Sequence, residues 1–518
     1  MTSLRHSHRS RSLSLLFGLL IVVASNGCRQ RNQTAPLEIL YNIEEQPTEK
    51  MAVVQILQAQ LAQAGIQVKL EPVSNTVFYD RLAKGQFEST FELWALDYND
   101  AEGYLTDFYS KAGFRLSKYS SQEFDQLYLK GLFAAGEADK QEAFHAAAAV
   151  LARDLPWIPL YSNEEVFLLQ PGAKAFNSNA YDDYDYAEVA LPAIRAASDV
   201  EVKTLDPAQC YDLGSKHLIS QSYEGLVALD ADNRIVPSLA TSWKSSPDQR
   251  LLTFQLRSQV LFQSSPIFAS PTQRELTSAD VKASFERLIR SNSPYAYIFD
   301  YVQGVSAFKS GQEAHVNGFQ APSPGEFRIA LDRPLSTMLP WLLAPAAYIL
   351  PKELPAQYDF SRGSVGTGPF VLKSFDGSTA QFGAFTQYWA SDHHGVHLPI
   401  ARKMTIRVIK DANTQQLAFR QGALDVFNVP LALYPSIFDS RGNLRPDWSS
   451  YTLHQVPLAN LKFLAFNMNN APWGADVALR RKVAEALHPE VIVQDLFLGK
   501  AEVDRSIIPA GIPGFESR

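Results

Sequence analysis

The sequence predicts an α/β fold spread over more than one domain, and three observations carry that prediction. Between residues 37 and 161, runs with strand-like alternation take turns with runs of helical period. From residue 204 onward short strand segments dominate, punctuated by turn residues, with single helices between them. The chain has 518 residues, more than one hydrophobic core holds, so two or three domains are expected.

Taken in order, Leu37 to Tyr41 reads as a strand. Thr48 to Ala64 reads as a helix with Val53, Ile56, Leu57 and Leu61 on one face, stopped by Gly65. Ile66, Val68 and Leu70 alternate as a strand, and a short helix from Val77 ends at Gly85. The run from Phe87 to Trp94 is the next strand. It ends in a stretch rich in aromatics and acids: Trp94, Asp97 and Tyr98. A strand end of this kind suits a ligand cleft, because the sheet holds the backbone while the loop stays open. Helices are expected over 122–134 and 139–154, followed by a strand over 157–161 with a proline at an edge-tolerant position. Residues 177–199, with repeated tyrosines and aspartates, read as a solvated linker. Beyond it, Leu251 to Leu256, Phe327 to Leu331, Phe370 to Lys373, Met404 to Val408 and Leu461 to Asn467 read as strands. Ala279 to Ile289 is a helix capped by Thr277 or Ser278, with Asp280 in its first turn. Val477 to Leu487 is another, ending at His488-Pro489.

The composition is that of an ordinary globular protein, with 46% apolar and 19% charged residues. Net charge is −7 and no basic stripe is present, which argues against nucleic acid as a partner. Residues 1–27 read as an export signal: Arg5, Arg9 and Arg11 precede a short apolar run, and small residues follow it. Cys28 comes directly after Gly27, where bacterial lipoproteins carry their acylated cysteine. Ser25 stands where such signals usually place an aliphatic residue, so plain cleavage and release stays open. If Cys28 is lipidated, Cys210 is an unpaired buried thiol; a disulfide between the two competes with lipidation. Residues 28–36 would then be a lipid-anchored tether.

Several motifs from Thr204 onward carry a resemblance. They include residues 204–208 (TLDPA), 222–227 (SYEGLV), 235–243 (IVPSLATSW), 276–281 (LTSADV), 366–370 (GTGPF) and 422–425 (GALD). Their order resembles the first two-thirds of family 5 of the bacterial extracellular solute-binding proteins, the oligopeptide and dipeptide type. Residues 61–68 (LAQAGIQV), 79–82 (YDRL), 94–98 (WALDY), 119–127 and 158–161 (IPLY) resemble the last third of the same family.

The resemblance implies a two-lobed, periplasmic-binding-protein-like α/β fold of type II, peptide-binder class, with an extra subdomain. It further implies circular permutation, with the family's C-terminal third placed first. Residues 37–161 and 461–518 would form the distal lobe, and 204–460 the proximal lobe with its subdomain. Residues 162–203 would be a proximal-lobe segment and a bridge across the old termini. Hinge crossings would fall near Tyr161 and Leu461. A truncated tandem copy, folding only as a swapped oligomer, is the alternative.

By the same resemblance the protein binds a peptide or peptide-like solute between its lobes and delivers it to an ABC permease, acting as a monomer on the membrane surface. Asp97 would pair with the ligand ammonium, Trp94 would form an apolar wall, and Tyr98 would support the loop. Glu224, beside Tyr223, would face Asp97 from the other lobe. Phe91 stands where some oligopeptide binders carry an arginine for the ligand carboxylate. That favours a longer peptide, or a cationic or uncharged ligand. No cofactor is implied, and no metal, since His393, His394 and His397 read as a solvated loop. The sequence contains no Gly-x-Ser-x-Gly elbow, His-Glu-x-x-His motif or phosphate loop, which speaks against an exported hydrolase. A binding protein that senses rather than transports is the remaining alternative.

Overall fold

The computed structural model describes residues 35–96, 98–113, 115–270 and 274–515. The predicted export segment, Cys28 and Asp97 lie outside the described residues.

The chain opens with β1 (Leu37–Asn42), α1 (Pro47–Gln63), β2 (Val68–Val73), α2 (Asn75–Lys84) and β3 (Ser89–Ala95). Val53, Val54, Leu57 and Leu61 bury one face of α1, as their spacing requires. Gly85 ends α2 in the left-handed region, a conformation glycine adopts without steric cost. Helices Gln122–Leu132 and Glu137–Asp154 precede β4 (Trp157–Leu169). Short strands β5 (Asn177–Ser178) and β6 (Tyr184–Asp185) form a hairpin, and β7 (Ala193–Ser198) follows. A second hairpin pairs β8 (Val227–Leu229) with β9 (Ile235–Pro237).

Next come β10 (Ala240–Ser245), β11 (Leu251–Leu256), helix Ser278–Arg290, β12 (Phe319–Ser323) and β13 (Glu326–Ala330). These four strands make one sheet, ordered β10-β11-β13-β12. The helix beside them starts with a capping box: Thr277 and Asp280 each satisfy the other's backbone N–H. After them run β14 (Phe370–Phe375), β15 (Thr379–Ala384), β16 (Lys403–Val408), helix Ala412–Arg420 and β17 (Val426–Asn428). The chain closes with β18 (Thr452–Pro457), β19 (Asn460–Phe466), helix Val477–Ala486 and β20 (Ala501–Val503).

Strands from both ends of the chain share the largest sheet. Its order is β17-β4-β19-β3-β1-β2, with β18 and β20 also paired to β4. At its centre β19 is buried along its whole length and lies antiparallel to both β3 and β4. The exposed edge is β2. There Lys69 and Arg81 bridge Glu38 and Glu71, a charged fringe that discourages further strand pairing. On the buried side of α1, Lys462 pairs with Glu49 at 2.9 Å and Lys50 with Glu92 at 2.8 Å. Glu92 is thus committed to the interior, next to the fully buried Phe91.

Two local expectations change. First, residues 177–199 are not a solvated linker. Phe176, Tyr181, Tyr186, Val189 and Ile194 are buried, and β7 extends the β14-β15-β16 sheet by pairing parallel to β16. Aromatics recurring every few residues supply enough apolar area to hold the segment down. Arg195 anchors it with a two-pronged bond to Asp425, at 2.6 and 3.0 Å. Second, the strand at Trp157 runs on to Leu169. Pro159 sits where the β4–β19 register shifts, a bulge that tolerates the missing donor. The helix Val477–Ala486 ends just before His488-Pro489, as expected, and a new helical stretch follows through 489–496. A proline in the first turn of a helix costs nothing, because that N–H has no partner anyway. Among the described residues no helix is long and apolar enough to cross a membrane.

Candidate functional site

A cavity of about 360 Å³ opens between the 177–187 segment and the turn that carries Tyr223 and Glu224. The turn owes its position to two glycines. A side chain at Gly366 would meet the Ser222 carbonyl oxygen at 1.9 Å, and one at Gly368 would come within 2.7 Å of the same carbonyl carbon. Only bare backbone fits there. The Gly368 amide donates to the Ser222 carbonyl at 3.0 Å, and the Ser222 hydroxyl donates to the Phe370 carbonyl at 2.7 Å. These bonds fix where Tyr223 and Glu224 point.

Glu224 lies in the cavity wall with neutral donors around it. Tyr388 donates its hydroxyl at 2.9 Å, and the Trp389 indole donates to both oxygens, at 3.1 and 3.2 Å. Arg257 lies 4.0 Å over the ring of Trp389 and donates to the Ser238 carbonyl. Burial pushes the Glu224 carboxyl up to about 7, against the opposing pull of Thr367, Trp389, Tyr388 and Arg257.

The opposite wall comes from residues 177–187, which the sequence reading set aside as a linker. Tyr184 and Asp185 line the cavity, with Asp183 beside them. Tyr184 stacks on His217 at 4.0 Å and donates its hydroxyl to the buried Glu165. Asp185 is exposed at the end of β6 and accepts one backbone N–H, from Ala187 at 2.8 Å. Asp183 pairs with Lys216 at 3.0 Å. The signal that could have found this wall is the Tyr-Asp-Asp-Tyr-Asp-Tyr run at 181–186, which mixes rings and acids as the Trp94–Tyr98 stretch does.

The strand end that the sequence singled out sits differently. Trp94 donates its indole N–H to the Gly103 carbonyl at 2.9 Å and packs on Trp157. Tyr98 is 5% exposed and donates to Glu102 at 3.0 Å. Glu102 also accepts from Tyr128 at 2.5 Å and from Trp341 at 3.3 Å. Neither Trp94 nor Tyr98 lines the cavity, whereas Tyr223 and Glu224 both do. The stretch still reaches the cavity's neighbourhood: Asn99 donates to the Asn233 carbonyl and accepts from Tyr181 at 2.7 Å. His393, His394 and His397 lie on an exposed loop, and among the described residues no cluster of His, Cys, Asp or Glu could hold a metal. The thiol of Cys210 is buried.

The family model described as "Bacterial extracellular solute-binding proteins, family 5 Middle" matches residues 24–115 and 234–518. The chain belongs to this family. Among curated relatives, the dipeptide-binding protein of Escherichia coli K12 is 24% identical over 357 residues, covering 63% of this chain and 62% of that protein. The nickel-binding periplasmic protein of the same strain is 25% identical over 325 residues, covering 62% and 56%. The oligopeptide-binding protein OppA of Bacillus subtilis is 25% identical over 336 residues, covering 61% and 57%. The chain therefore spans a little over half the length of these relatives. Among solved structures, the Escherichia coli murein tripeptide binding protein MppA overlays with a TM-score of 0.41 at 24% identity, over 47% of each chain. Haemophilus influenzae OppA in complex with RPPGFSPFR also overlays at 0.41, with 20% identity over 48% of each chain.

In this family member, Glu224 ties stability to pH. A carboxyl with a raised folded value contributes stability that is full below its ordinary 4.5 and is lost as pH rises through about 7. Asp107 and Asp504 are also pushed up to about 7, so the contribution must be read against Glu224→Gln. In thermal melts between about pH 5 and about pH 8, the stability of the native protein relative to that variant should fall with rising pH. A constant difference would show that Glu224 is ionised throughout.

Proposed function

We propose that this protein is the exported substrate-binding component of an ABC importer, capturing a peptide or peptide-like solute and passing it to a membrane permease. The observation that carries the proposal is the 360 Å³ cavity built on the glycine-braced turn of Tyr223 and Glu224, in a chain of this family. A volume near the lower end of the usual ligand-pocket range of roughly 300–1,000 Å³ suits one or two residues rather than a long peptide. The wall offers hydrogen-bonding groups and rings, which suit the holding of a polar solute. Tyr223 and Glu224 contact the solute, and Asp97 takes its terminal ammonium. Trp94 and Tyr98 hold the strand end that carries Asp97.

We read the chain as a circular permutant. The sharing of one sheet by β1 to β4 and by β19 and β20 supports that reading, because it rejoins segments from opposite chain ends. We also read Cys28 as the lipid-anchored residue that holds the exported protein at a membrane surface, where several acyl chains give stable attachment.

The test is a thermal-shift screen of purified mature protein against di- and tripeptides, with product analysis alongside. A ligand at a hundred times its Kd adds about 2.7 kcal/mol of stability, enough for a clear shift. Asp97→Ala should abolish the shift for free-amine peptides and spare N-blocked ones. Peptide cleavage, or silence toward every peptide, would overturn the proposal.

A further inference from the structure

The walls of the cavity are chemically one-sided. Four carboxylates line it, from Asp183, Asp185, Glu224 and Asp230, and no lysine, arginine or histidine is among the lining residues. On an open surface such a cluster would be solvated and would mean little. Here it lines a cavity of about 360 Å³, together with the rings of Tyr184, Tyr223, Tyr348 and Tyr388.

Two neighbouring cations are committed elsewhere. Lys216 serves Asp183 and donates to the Tyr181 carbonyl at 2.5 Å, while Arg257 stacks on Trp389 and bonds the Ser238 carbonyl. Neither Glu224 nor Asp185 forms an ion pair among the described residues. Glu224 is held by the neutral donors Tyr388 and Trp389, and Asp185 by one backbone amide. Tyr388 connects the two walls: it donates to Glu224, and both Glu224 and Asp185 act on its hydroxyl through space.

Carboxylates grouped in one cleft without a lining counter-charge repel one another, and a cation entering the cleft relieves that repulsion. Tyrosine rings beside the acids add attraction for an ammonium or guanidinium group and offer nothing comparable to an anion. The absence of a lining cation likewise leaves a ligand carboxylate without a partner here.

We infer that the cavity takes a cationic group of the solute, an ammonium or guanidinium, held between Asp185 and Glu224 against the rings of Tyr184 and Tyr388. Asp185 and Tyr184 are then specificity-determining residues supplied by the 177–187 segment. This inference rests on the cavity being the solute site.

Isothermal titration of the full mature protein near neutral pH separates the possibilities with four dipeptides. Ala-Lys carries two cationic groups. Ala-norleucine keeps only the α-ammonium, N-acetyl-Ala-Lys only the side-chain ammonium, and N-acetyl-Ala-norleucine neither. The cation-free peptide should bind roughly ten- to a hundredfold more weakly than Ala-Lys, the range expected for losing a hydrogen-bonded charge. Whichever singly charged peptide keeps the affinity identifies the cation's source. In Asp185→Asn, which retains an acceptor for the Ala187 amide, and in Glu224→Gln, the preference should shrink to within a few-fold. Equal affinity for the charged and cation-free peptides would overturn the inference and leave the binding function standing. A preference that survives both substitutions would also overturn it, because the cation then sits elsewhere. Binding of no peptide at all would remove the proposed function and the inference together.

Discussion

Replacing Trp157 by alanine should lower the free energy of unfolding by about 3–5 kcal/mol, the usual cost of emptying a large aromatic site in a packed core. Trp157 has 0% of its surface exposed. Its ring stacks on Phe463 with centroids 3.8 Å apart and planes 9° from parallel, meets Phe108 at 4.6 Å, and leans on Trp94 at 5.7 Å. Those contacts join β4, from the first third of the chain, to β19 near its end, where Trp157 lies opposite Ala465. The cavity left by alanine cannot collapse easily, because rigid aromatic rings line it on several sides. Chemical denaturation should show a lower midpoint with an unchanged slope. Trp157→Phe should lose clearly less, since it keeps the stack on Phe463. A loss below about 1 kcal/mol in the alanine variant would mean that the two ends of the chain are held together by other contacts.

Gly366→Ala should weaken solute binding by at least about tenfold while costing about 1–3 kcal/mol in stability, the range for forcing extra atoms into a packed site. The new methyl group would sit 1.9 Å from the Ser222 carbonyl oxygen and 2.7 Å from the Tyr223 ring. The carbonyl cannot turn away, because it accepts from the Gly368 amide at 3.0 Å and from the Gln263 side chain at 3.4 Å. The turn must therefore shift as a unit and take Tyr223 and Glu224 with it. A displacement of an ångström at Glu224 breaks its bonds to Tyr388 and Trp389, so affinity should fall by at least about tenfold. Gly325→Ala is the matched control: its added carbon meets nothing within 4 Å, and both stability and binding should stay unchanged. Native affinity in Gly366→Ala would separate the turn from the solute site.

Much of the fold was legible in the sequence wherever short-range rules governed it. The apolar spacing of α1, the left-handed glycine after α2 and the Thr277–Asp280 cap each depend on residues at most a few positions apart. The order of motifs pointed to the family in the same way, and it singled out Tyr223 and Glu224, which line the cavity. The other wall was hidden. Asp185 and Tyr184 stand in a segment whose polar composition resembles a linker, and their importance depends on β7 docking beside β16, some two hundred residues later in the chain. Trp94 and Tyr98 show the opposite case: residue types suited to a ligand surface, here turned inward to Gly103 and Glu102.

The sequence by itself determined the α/β class, the family and the local course of most elements, because periodicity, capping and turn chemistry act over one or two helical turns. Tertiary structure alone decided which strands from opposite ends of the chain share a sheet. It also decided that Glu224 and Asp185 line one cavity with no cation among its lining residues. Strand partnership and desolvation are set by what packs nearby in three dimensions, and sequence spacing does not encode that.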